Sequence, residues 1–138
     1  MRKLRLLSAL VTGFIVAVAI ARLTFGHLGD VWPDYATAEP EKAYTLAMLL
    51  ARLGLAAFVT ICAAITATIV AGDRGRAAGV LGLIFVAISL PSHLHYAWDD
   101  YPAWYHVVYL AFLVPIALSS AWFVRIFFPK ARPLRRSA

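Results

Sequence analysis

Four long apolar runs, separated by short polar stretches, dominate the sequence. They extend from about Leu6 to Phe25, from Leu53 to Ala71, from about Ala77 to Trp98 and from about Pro102 to Phe128. Each approaches or exceeds the ~20 mostly apolar residues with which a helix crosses about 30 Å of hydrocarbon. Lipid offers backbone polar groups no partner, so segments of this kind must satisfy them internally, as helices. The pattern predicts an all-α integral membrane protein, a four-transmembrane-helix bundle. Its connections are short, notably 72–76 and 99–100, which makes sequential helices antiparallel. The expected topology is up-down-up-down with both termini cytoplasmic. A single domain over residues 1–128 is followed by a basic cytoplasmic tail over 129–138.

Local chemistry refines these boundaries. Glu39-Pro40-Glu41 has the proline and acids of a helix start, so the second helix is expected to reach back to Pro40. Asp99-Asp100-Tyr101-Pro102 repeats that chemistry before the fourth helix, and Gly72-Asp73-Arg74-Gly75 is a turn sequence. Pro91 and Pro115 should disturb the third and fourth helices. Small residues (Ala56, Ala57, Ala63, Ala64, Ala67, Gly79, Gly82) would let the second and third helices approach closely. Met1–Ala21 also imitates a signal peptide, with Ala19-Ile20-Ala21 as the cleavage pattern. The run is long enough to span, so an uncleaved first helix is the expectation.

Composition excludes most other classes. Of 138 residues, 62% are hydrophobic and 14% charged, against roughly 45–50% and 25% in soluble domains. One small core could not bury so much apolar surface. A soluble enzyme, a disordered chain and a disulfide-stapled module are therefore excluded. The net charge of +6 would suggest nucleic acid in a soluble protein, but its distribution says otherwise. Ten basic residues and one acid, a net +9, fall at the N-terminus, the 72–76 turn and the C-terminus. Arg22, Lys42 and Arg52 face six acids on the other side, a net −3. That is the positive-inside bias of a bacterial-type cytoplasmic (inner) membrane protein, and it leaves no basic surface for nucleic acid. Cys62 is alone in an apolar helix, which excludes a disulfide within one chain.

The rarer side chains are lopsided. All four histidines, all six tyrosines and three of four tryptophans map to the expected outer end. An aromatic belt normally marks both interfaces, so the asymmetry points beyond anchoring, to an outward-facing pocket. Its candidate lining is Tyr105, Tyr109, His106, His93, Arg52, Trp32 and Asp99. Asp99, four residues after His95, could orient that imidazole on a continuing helix. Arg22 and Arg52 need partners, for which Asp30, Asp34, Asp99 and Asp100 are the acids considered, and a lid of residues 26–40 would bring them together. For a metal, the candidates are His93, His95, His106 and His27, provided Pro91 breaks the helix on which His93 and His95 would diverge by about 200°. Their spacing matches no specific metal motif, and no cofactor is expected.

No charged group lies between the boundary levels of the spans, which argues against transport through one bundle. The expected function is binding a lipid-like or small amphipathic ligand, or serving as an accessory subunit of a membrane complex. The expected partners are membrane lipids, with a homo-oligomer or a larger membrane protein as further candidates. The alternative is a membrane-embedded enzyme with a metal or His–Asp acid–base site at the same mouth. An oligomeric channel, with its polar path between subunits, is the third reading.

Overall fold

A computed structural model describes residues 2–73 and 75–128, and these form helices and turns without a strand. The elements are α1 (Arg2–Gly26), α2 (Leu28–Val31), α3 (Pro33–Ala38), α4 (Leu46–Ala71), α5 (Arg76–Pro91), a π-helical turn (Ser92–Tyr96) and α6 (Ala103–Phe127). Four helical stretches are long and apolar enough to cross a membrane: Lys3–Val31, Leu46–Ala71, Arg76–Tyr96 and Ala103–Phe127. Arg74 and the 129–138 tail lie outside the described residues.

What these helices leave uncovered agrees with their being apolar enough to cross a membrane. Leu4, Leu7, Ile15, Leu83 and Trp122 belong to a broad set of large apolar side chains left exposed around the bundle. Inside, the packing depends on small residues. Ala9, Ala63, Ala64, Ala67, Ala77, Ala78 and Ala117 are fully buried. Helices in lipid gain little from expelling apolar side chains and associate largely through close backbone packing. α1 and α5 meet α4 across Ala9, Ala63, Ala67 and Ala77. Gly79 and Gly82 were expected to serve the same helix pair, but they face α6 instead: Gly82 abuts Leu113, Val114 and Ala117, and Gly79 abuts Leu118. Thr60, Thr66, Thr68 and Ser120 return their hydroxyls to carbonyls four residues back in their own helices. This satisfies the hydroxyls locally.

Two expected boundaries need correction. The second spanning helix does not extend back to Pro40; α4 begins at Leu46. Residues 39–42 turn instead, Lys42 adopts φ 56°, and the Ala43 amide donates to Ala38 O at 3.0 Å. Thr45 then supplies the cap, its hydroxyl accepting from the Met48 amide at 3.3 Å. The reason is packing: α3 folds Tyr35 against Met48, so the chain must reverse between the two helices. The third span reaches Tyr96 rather than Trp98, and its α-helical part stops at Pro91. Pro91 has no amide to donate to the preceding turn. Beyond it the helix widens, with the Ala97 amide donating five residues back to Ser92 O at 2.9 Å.

Candidate functional site

The segment between α1 and α4 folds as a lid over one end of the bundle. Leu28 and Tyr35 are buried with Met48, and Trp32, Tyr44 and Leu55 pack around them. This fixes Tyr35 beside Arg52 in the second turn of α4. Arg52 Nη1 donates to the Tyr35 hydroxyl, which is within 3.4 Å of Glu39 Oε1 as a donor in turn. Glu39 Oε1 is also 4.0 Å from Arg52 Nη1. The lid thus gives Arg52 an acid, but it is Glu39; Asp30, Asp34, Asp99 and Asp100, the partners considered from the sequence, form no ion pair with it. Arg22 is exposed on the outer face of α1.

Four rings enclose the guanidinium. Phe25, Tyr35, Tyr44 and Tyr101 lie with their centroids 5.3–5.9 Å from Arg52 Cζ, within reach of cation–π attraction. Tyr44 stacks on Tyr101 at 5.4 Å, and Tyr101 on the buried Tyr105 at 4.7 Å. Burial pushes the phenols of Tyr35, Tyr44 and Tyr101 up, Tyr101 to about 12, although the Arg52 charge opposes this in each. The rings are therefore neutral hydrogen-bonding groups near pH 7, not counter-ions. In an unfolded chain phenols ionise near pH 10, so the folded state is the poorer acid. Its stability from this source is complete below pH ~10 and is lost as pH rises towards 12. Tyrosinate absorbance should rise late, together with unfolding, and Tyr101→Phe should flatten the alkaline loss of stability; an unchanged profile would contradict this.

A second polar cluster adjoins the first through Tyr105. The π-helical turn brings His93 Nδ1 within 2.8 Å of His106 Nδ1. His106 is 1% exposed, and its Nε2 faces the carbonyls of Trp98 (3.3 Å) and Tyr101 (3.2 Å). Two carbonyl acceptors require a proton on Nε2, so neutral His106 accepts at Nδ1 and His93 donates there. Trp98 stacks on His106 at 4.9 Å, and Tyr109 on His93 at 4.3 Å.

Of the site residues expected from sequence, Arg52, His93, Tyr105, His106 and Tyr109 are brought together. Trp32 stands behind Tyr35, at 6.3 Å. Asp99 is exposed and no His95–Asp99 bond forms, because the chain has left the helix by residue 97. The four candidate metal ligands do not converge: His93 meets His106, His95 is exposed, and His27 bonds Asp30 at 2.9 Å on an exposed corner. Among the described residues no group of three or more His, Cys, Asp or Glu side chains is arranged to hold a metal. Phe25, Tyr35, Glu39, Tyr44 and Tyr101 were not foreseen as site residues. The available signal was Arg52 itself, a cation that the start of a spanning helix must enclose.

Below these clusters lies an apolar cavity of about 280 Å³ bounded by α1, α4, α5 and α6. Ala17, Ala21, Ala56, Phe85 and Leu113 form much of its wall, and Thr60, Ser89 and Tyr109 are its polar members. Phe14, Val18 and Ile88 line it while remaining partly exposed, so it opens sideways between α1 and α5. No family model, curated protein or solved structure matches the chain, so the functional reading rests on this geometry.

Proposed function

We propose that the protein binds a lipid-like amphiphile, with the ligand's chain in the cavity and its polar head among Arg52, Tyr35, Tyr44, Tyr101 and Tyr105. The observation that carries this reading is the continuity of the two regions along α4. Arg52, Ala56 and Thr60 succeed one another at four-residue spacing and share one helix face. Ala56 and Thr60 line the cavity. Phe25 belongs to both regions, since it lines the cavity and lies 5.6 Å from the guanidinium. Tyr109 likewise joins the cavity to His93. Apolar walls with a few convergent polar groups at one end suit a ligand of mixed character.

The accompanying arrangement is an up-down-up-down bundle in a bacterial-type inner membrane, both termini cytoplasmic and the Arg52 end outside. The charge division of +9 against −3 supports the orientation. The alternation draws support from contacts at the two ends of α4: Arg5 Nε donates to Val70 O at 2.9 Å, whereas Phe25 meets Arg52.

Native mass spectrometry of the full chain from mild detergent tests the reading. The wild type should carry one adduct of lipid mass. Ala21→Phe, which fills the cavity from α1, should bind it at least tenfold more weakly, a difference of about 1.4 kcal/mol, while remaining folded. An empty wild type, or a folded variant with undiminished adduct, would refute it.

A further inference from the structure

We infer that the amphiphile's head is an anionic oxygen group, a carboxylate or phosphate monoester, held by Arg52 Nε and the Tyr44 hydroxyl. This deepens the amphiphile reading and rests on it. Both atoms are buried and have no hydrogen-bond partner. Arg52 Nη1 is already engaged by Tyr35 and the guanidinium also lies close to the Tyr105 hydroxyl, whereas Nε–H has no acceptor in hydrogen-bond geometry. The Tyr44 hydroxyl lies close to those of Tyr35 and Tyr101 but meets hydrogen-bond geometry with neither. The guanidinium lies 5.4 Å from the Tyr44 ring, so both unpaired groups belong to one cage. Leaving such groups unsatisfied is costly, and native interiors rarely do so.

Charge selects among head groups. A guanidinium is permanently cationic and planar, and it matches carboxylate and phosphate oxygens. Among the described residues its one acidic partner, Glu39, is 4.0 Å away and half exposed, too loose to neutralise it. Asp30, Asp34 and Asp99 are exposed and form no ion pair with it. A cationic head would meet a ring cage already filled by the Arg52 cation. A neutral hydroxyl would accept the hydrogen bonds and leave the charge unanswered.

The test uses delipidated full-length protein in neutral detergent, with native mass spectrometry reporting competition among probes of one chain length: palmitate, hexadecyl phosphate and hexadecanol. Palmitate and hexadecyl phosphate should bind about tenfold more tightly than hexadecanol, the scale of one charge-assisted hydrogen bond. Arg52→Gln should abolish that preference while keeping hexadecanol binding. Should Arg52→Gln fail to fold, Tyr44→Phe keeps the ring, removes the hydroxyl and should reduce the preference several-fold. Equal binding of palmitate and hexadecanol to the wild type would overturn the anionic head and leave the amphiphile reading standing, with a water satisfying both atoms. Binding of none of the three would overturn both. Displacement of palmitate by inorganic phosphate alone would support the anion site and assign it to a free anion instead of a lipid head. An unaltered preference in folded Arg52→Gln and Tyr44→Phe proteins would overturn the assignment of the site.

Discussion

Gly13→Leu is expected to cost the bundle more than 3 kcal/mol, beyond the usual range for overpacking, and to leave little monodisperse protein after mild heating. A Cβ at Gly13 would lie 2.8 Å from Leu81 Cδ2, 3.0 Å from Ala63 O and 3.1 Å from Ala67 Cβ. None of these can withdraw easily: Leu81, Ala63 and Ala67 are all fully buried, and Ala63 contributes backbone. α1, α4 and α5 therefore meet at a point where only a hydrogen fits. Gly13→Ala should lose less, because alanine's helix propensity returns about 1 kcal/mol. Gly54, inside α4, is the control, since a Cβ there meets nothing within 4 Å. Gly54→Ala should be neutral or slightly stabilising. Size-exclusion profiles of detergent-solubilised protein after a temperature series would show both effects, and a Gly13→Leu protein as heat-resistant as Gly54→Ala would disprove the close crossing.

The spanning helices were legible because hydropathy over some 20 residues is set by the solvent and needs no knowledge of tertiary contacts. The start of α4 was not. Glu39-Pro40-Glu41 has the local chemistry of a helix start, but docking Tyr35 on Met48 imposes a reversal that only the folded chain contains. The crowding of histidine, tyrosine and arginine at one end was readable by counting along the spans. Which groups pair was not, because the pairs join different elements. Arg52 finds Glu39 because Tyr35 and Glu39 share one face of the lid at four-residue spacing, with Tyr35 turned inward. His93 and His95 were considered together as chelating ligands once Pro91 broke the helix. The π-helical turn separates them instead, leaving His93 against His106 and His95 exposed.

The second large effect should come from His106→Leu. This change nearly keeps the volume of a 1%-exposed side chain while removing every polar contact it makes. The carbonyls of Trp98 and Tyr101 lose their shared donor, and His93 loses the acceptor for its Nδ1–H. Stranding a buried polar group costs roughly 1–3 kcal/mol. Trp98 is exposed and Tyr101 half-buried, so a total near 3 kcal/mol is the expectation. The damage should be local before it is global, because His106 ties the 97–102 connection to the first turn of α6. Limited proteolysis should cut that connection faster in His106→Leu, and Trp98 fluorescence should shift as its stacking partner disappears. His106→Gln restores an N–H donor for the carbonyls and a carbonyl acceptor for His93, so it should recover much of the protection. If His106→Leu and His106→Gln were cleaved alike, or neither faster than wild type, the His93–His106 pair would have no part in holding this end of the bundle together.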